Sequence, residues 1–171
     1  MFEDLMELIG KTKKLRQGVE GEVILPWVED VEKALGYKLP SSYRWWLLKY
    51  GRGFLGGDPI YTIAPPEFRD IADSDILHSH LLNTRNGMTA PDRLYFYEPD
   101  GDERFFFDMG RSLGDGDNPV MVEDLSQNEI REYGGTFADF LKKEINMSLP
   151  LLAVQYSCGA WHHERGRHVG R

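Results

Sequence analysis

The run Gly110, Arg111, Ser112, Leu113, Gly114 fits the G-x-S-x-G pattern of serine hydrolases. In such enzymes a helix directly behind the serine aims its hydroxyl and helps to build the oxyanion site. Here residues 114–119, Gly-Asp-Gly-Asp-Asn-Pro, follow, and that composition disfavours a helix. The histidines that Ser112 needs as a base, His162, His163 and His168, come only in the C-terminal tail. A Ser112 hydrolase therefore ranks last of three functional readings. Gly51, Gly53 and Gly56 match G-x-G-x-x-G, but a dinucleotide site needs a strand before the glycines and a helix N-terminus after them. The order here is reversed, so these glycines read as the exit of a helix.

Metal chemistry fares no better. Asp115 and Asp117 begin like a calcium loop, yet Pro119 falls where an oxygen ligand belongs and Val120 where the glycine turn belongs. Asp100 and Asp102 fail in the same way, because Phe105 takes the glycine position. Cys158, His162, His163 and His168 carry zinc-type donors at a spacing that matches no structural zinc pattern. His78 and His80 lie two apart on a predicted helix, face different sides and read as surface residues. No catalytic residue, metal or cofactor is predicted.

What remains is a question of charge and surface. The chain has 171 residues and a formal net charge of −8. That length suits one domain with a real core, expected over residues 1–148, with 149–171 as a C-terminal extension that is partly flexible. The extension carries Arg165, Arg167 and Arg171 against Glu164, which leaves the body more acidic than the whole. An acidic surface repels phosphate backbones and speeds the docking of a basic protein, so direct nucleic-acid binding is not expected. No apolar run approaches the roughly 18 residues of a membrane helix. The N-terminal segment is acidic where a secretory signal is basic, and Cys158 is the one cysteine. A cytoplasmic location and no membrane partner are expected.

The elements that must position these residues follow from periodicity. Phe2, Leu5, Met6, Leu8 and Ile9 recur at helical spacing. A second helix is predicted from Pro26 to Leu35 with Gly36 as its cap. A third begins near Pro40, with Ser41 or Ser42 as a nearby cap, and places Tyr43, Trp46, Leu47 and Tyr50 on one face. Trp45 is the aromatic that this face explains least. A short strand at Ile60 to Ile63 is followed by a helix over Asp73 to Arg85, with Ile76, Leu77 and Leu81 inward. Two aromatic runs joined by residues 99–102 make a hairpin between Tyr95 and Phe107. A strand at Val120 to Val122 and a closing helix, boxed by Thr136 and Asp139 with Phe137, Phe140, Leu141 and Ile145 buried, complete the list. The order predicts an α+β fold: N-terminal helices, a mainly antiparallel sheet and a C-terminal helix.

With these motifs placed, Glu32, Leu35-Gly36, Leu39-Pro40, Tyr43, Leu47, Tyr50-Gly51 and Gly56-Gly57 resemble the signature of the SUKH superfamily. The aromatic strand pair, the strand at Pro119 to Val122 and the closing helix keep that order to about Ile145. The resemblance implies a non-enzymatic, single-domain binding module. Bacterial members are mostly immunity proteins that neutralise a cognate toxin, often a nuclease, in the cytoplasm; fungal members regulate cell-wall synthesis. The leading expectation is an immunity protein whose partner is a toxin with a basic surface. The second is a regulatory or scaffold interaction domain with no toxin. For the leading reading, the candidate partner-binding residues are Asp58, Glu98, Asp100, Asp102, Glu103, Asp115 and Asp117, with Trp45 and Tyr61 as aromatic anchors.

Overall fold

The structure, a computed structural model, describes residues 2–147. The expected extension from 149 onward, with Cys158 and the tail histidines, lies outside the described residues. Among the described residues the chain forms five α-helices and seven strands, in the order α1 (Glu3–Lys11), β1 (Leu15–Gln17), α2 (Leu25–Leu35), α3 (Ser41–Tyr50), β2 (Gly53–Leu55), β3 (Asp58–Ile60), α4 (Ile76–Arg85), β4 (Arg93–Tyr97), β5 (Glu103–Asp108), β6 (Val120–Asp124), β7 (Glu129–Gly134) and α5 (Phe137–Asn146). A 3-10 segment, Pro66–Ile71, precedes α4. The strands form one antiparallel meander in the order β1 to β7. The fold is α+β, as the sequence predicts.

Alternation along each strand gives the sheet two faces. Leu15, Leu55, Ile60, Leu94, Phe105, Phe107, Val120 and Val122 point into the core, where α1, α3 and α5 pack together. Tyr43, Trp46 and Leu47 are fully buried there. Tyr43 stands at the centre: its ring centroid is 5.2 Å from that of Phe107 and 5.1 Å from that of Phe137, while Phe96 and Phe107 stack at 4.2 Å. Each such side chain contributes about 1.5–3 kcal/mol by leaving water. The tyrosine hydroxyl would cost part of that if unpaired, but it donates to the Tyr61 carbonyl at 2.6 Å. The face of α3 therefore faces the core, and Trp45, beside it, stacks half-buried on Phe2 at 4.3 Å and meets the Tyr50 ring edge-on.

Gly53 carries no side chain for a reason. A Cβ there would sit 2.5 Å from the Trp46 ring, so only glycine lets β2 pass this close to α3.

Four expectations change. β1, β2 and β7 are absent from the periodicity reading because the first two have three residues each and β7 buries none of its six. The strand expected at Ile60 to Ile63 runs from Asp58 to Ile60 instead. Helix α3 is not capped by its own serines: Pro40 occupies the cap, and the acceptor comes from Asp117, described below. Helix α4 starts at Ile76 and is rotated relative to the expectation. It buries His80, expected at the surface, and leaves Leu81 52% exposed. Its N-cap is Asp75. Asp75 is fully buried and accepts from the His78 and Ala64 amides, each at 2.8 Å, with Arg69 at 3.5 Å. Burial pushes the Asp75 carboxyl above its ordinary range, and these donors offset only part of the shift.

Candidate functional site

In an antiparallel meander, alternate connections emerge at opposite ends of the sheet. The β2–β3, β4–β5 and β6–β7 turns therefore share one end, because Asp58 lies beside the β4 terminus and Glu103 pairs with Asp124. This hairpin end collects five of the sequence candidates: Asp58, Glu98, Asp100, Asp102 and Glu103. Asp115 and Asp117 lie in the β5–β6 connection at the opposite end.

The hairpin-end acids differ in what they touch. Asp58, Asp100 and Asp102 make no side-chain hydrogen bond or ion pair among the described residues; Asp100 and Asp102 are exposed and Asp58 is half-buried. Glu103 is held by Arg131 at 2.8 Å. Glu98 accepts from the Tyr61 hydroxyl at 3.1 Å and faces Arg104 at 3.8 Å. Tyr61, one of the two aromatic candidates, is half-buried, and burial together with the Glu98 charge pushes its hydroxyl up.

Glu98 also opens a network that the sequence reading missed. On the sheet face away from the core, the Arg104 Nε donates to Glu123 at 2.7 Å, and the Tyr95 hydroxyl donates to the same carboxylate. The Arg104 guanidinium lies 4.7 Å from the Tyr95 ring centroid, a cation–π distance. Burial raises the Glu123 carboxyl, but the hydrogen bonds from Tyr95 and Arg104 outweigh it and the net shift is downward. Burial also pushes Tyr95 up, to about 12. This network braces β4, β5 and β6 next to the turn that carries Asp100 and Asp102. Its signal in the sequence was weak, because Tyr95 sits within an aromatic run and Arg104 and Glu123 sit among the charged residues at the ends of their strands.

At the other end, Asp117 accepts from the Ser42 amide at 3.0 Å and the Ser42 hydroxyl at 2.7 Å. The Asp115 carbonyl accepts from the Ser41 hydroxyl at 2.8 Å, while its own carboxylate stays exposed. A helix begins with four unsatisfied amides, and the β5–β6 loop supplies acceptors for the start of α3. Ser112 sits exposed in that same loop, where its Oγ accepts from the Gly114 amide at 3.3 Å. A β-turn follows it, and the first helix after it is α5.

Glu32, quoted above for the resemblance, is a third kind of acid. Only 3% exposed, it accepts from the Leu39 amide at 3.2 Å and pairs with Lys38 at 2.6 Å and Arg44 at 3.3 Å. It thus ties α2 to the connection that launches α3.

These features define an α+β domain that displays acids on hairpin turns around a closed aromatic core. The chain belongs to the SUKH superfamily: the SUKH_6 family model, described as SMI1-KNR4 cell-wall, matches residues 26–141. At the level of the family this is a protein-interaction and immunity-type module. Comparison with curated proteins gave no match. No helix among the described residues is long and apolar enough to cross a membrane.

Proposed function

We propose that the protein is a non-enzymatic immunity protein of the cytoplasm that neutralises a cognate bacterial toxin by docking its hairpin end against a basic surface, such as that of a nuclease. The observation that carries this reading is the placement of Asp58, Asp100 and Asp102 together at one end of the sheet with no cation paired to them among the described residues. Unpaired acids in a chain of charge −8 create a field that steers a basic partner into register. Glu98 and Glu103, each facing an arginine, flank this patch, and the half-buried Tyr61 donates its hydroxyl to Glu98. Asp115 and Asp117 belong to the other end and take no part in the same contact.

The test is a binding measurement with the toxin domain encoded beside the gene. The expected result is a tight complex whose association slows at least about tenfold, at low salt, when Asp58, Asp100 and Asp102 are replaced by lysine. A complex that forms equally fast after that reversal removes the electrostatic part of the proposal. A second reading, a regulatory or scaffold domain with no toxin, is favoured by the description of the matched family, which names the cell wall. It gains if the neighbouring genes encode no toxin.

A further inference from the structure

The sheet has two edges of different character. Strand β1 is three residues long and offers little to an incoming strand. Strand β7 has six residues and no proline, and it pairs only with β6 among the described residues. Its pairing is regular from Glu129 to Glu132, and the one register shift comes after that. About half of its backbone amides and carbonyls therefore point away from the sheet. Lys143 donates to the Tyr133 carbonyl at 2.9 Å. Among the described residues, the backbone of 129–132 meets no hydrogen-bonding group outside β6.

The chain leaves α5 where a strand could use that edge. The helix starts just past the end of β7, and near its own end Glu144 accepts from Lys14 at 3.2 Å. The Lys14 carbonyl in turn accepts from the Gly56 amide of the β2–β3 turn at 3.0 Å. Helix α5 thus finishes at the hairpin end, where β7 begins. Met147 follows, with its Sδ 3.5 Å from the Tyr133 hydroxyl. The next residues have the composition of a strand. Leu151 to Tyr156, LLAVQY, equals β7 in length and carries no charge. Pro150 stands before it, where a strand tolerates proline, and Ser157-Cys158-Gly159 follows.

We propose that residues 151–156 lie along β7 as an eighth strand, parallel to it, with α5 as the crossover. Residues 135–150 supply the dozen or more that a parallel crossover needs. The four steps from Met147 to Leu151 reach at most about 14 Å, and the new strand lies only about 4.8 Å beyond β7. Leu152, Val154 and Tyr156 continue the side that faces α5, where the half-buried Tyr133 packs on Phe105 and Phe140. The tether selects this occupant. A segment held a few residues from the edge has an effective concentration in the millimolar range, ahead of a second copy or a strand from another protein. Covering the edge removes a template for aggregation. It also withholds β7 from partners that bind by strand addition, which leaves recognition to the turns.

The experiment is amide hydrogen exchange of the full chain, read residue by residue by NMR. Amides within 151–156 should exchange at least about tenfold more slowly than in an unstructured chain, and so should the β7 amides that face away from β6. Alternate amides of the segment point at β7, so at least one of Ala153→Pro and Val154→Pro removes a ladder donor. That variant should return both sets to fast exchange and leave the amides of β4 and β5 unchanged. The proposal is overturned if residues 151–156 exchange like an unstructured chain, or if neither proline variant alters β7. Protection of the outer β7 amides that disappears on dilution, with a dimer-to-monomer shift in sedimentation, overturns it too by making a second copy the occupant.

Discussion

The two ends of the sheet carry the same residue in the same kind of loop and use it differently. At the β5–β6 end, Asp117 meets the open amides of α3 and closes a contact between residues 75 positions apart. At the hairpin end, Asp100 and Asp102 face a turn whose strands already pair with each other, so no donor is left for them. What an acid does is decided by the donors across from it. A helix start offers several, and the outer edge of the β4–β5 turn offers Asp100 and Asp102 none, whereas in the β6–β7 turn Asp124 accepts from the Ser126 and Gln127 amides.

The largest effect expected from this contrast lies with the acids most completely enclosed by donors. Asp75→Ala strands the His78 and Ala64 amides and leaves Arg69 facing a void. Breaking such a buried pair costs about 3–5 kcal/mol, which urea unfolding would read as a large drop in midpoint at unchanged slope. Glu32→Ala should fall in the same range, since it removes the acceptor for the Leu39 amide and strands Arg44. A cost under about 1 kcal/mol for either would break the contrast at its strong end.

Next comes a pair within one loop. Asp117→Ala removes the side-chain acceptor at the start of α3 and should cost about 1–2 kcal/mol. Asp115→Ala, two residues away, removes an exposed carboxylate and leaves the carbonyl that Ser41 uses. It should change stability by no more than about 0.5 kcal/mol. Similar losses for both would mean that the loop stiffens α3 through its backbone alone.

His80 of α4 carries the contrast into a buried imidazole. Burial lowers the folded-state pKa of His80, and the Arg93 backbone offsets this only in part. The unfolded state therefore takes up a proton first. Stability conferred by the neutral ring is complete above about pH 6.5 and is lost as pH falls from there through the lowered folded value. His80→Gln should flatten that part of the stability–pH curve. An unaltered slope in His80→Gln would assign the acid sensitivity to other groups.

The fold was legible where burial writes a period. The stripe Tyr43, Trp46, Leu47 and the box Thr136–Asp139 are local patterns, and both occur as read. Strand β7 was illegible because an edge strand with both faces wet has no apolar alternation to display. The cap of α3 was illegible for another reason: Ser41 and Ser42 carry the usual cap chemistry, but Pro40 holds the cap position and the acceptor arrives from a distant loop. Helix α4 misled because its apolar residues, Ile76, Leu77, Leu81 and Leu82, spread over more than one face, and the face turned inward is that of Ile76, Leu77 and His80. Of the candidate surface, the sequence could list acids by loop. Only the register of the sheet could sort them into two ends.

The smallest effect on stability is expected at the hairpin end, and it is the one that bears most on the proposed function. Asp58, Asp100 and Asp102 hold no partner in the free protein among the described residues, so replacing Asp100 and Asp102 by asparagine should change stability by no more than about 0.5 kcal/mol each. Lysine at these positions adds charge to turns that Arg104 and Arg131 already brace, which makes repulsion the main cost and salt its remedy. Binding should respond in the opposite proportion. Steering depends on charges that stay free until the partner arrives, so the association rate and its salt dependence should both fall while dissociation changes little. A loss confined to dissociation would show that these acids are buried contacts of the complex. The hairpin end would then resemble the α3 end after all, with the partner supplying the donors that the fold does not.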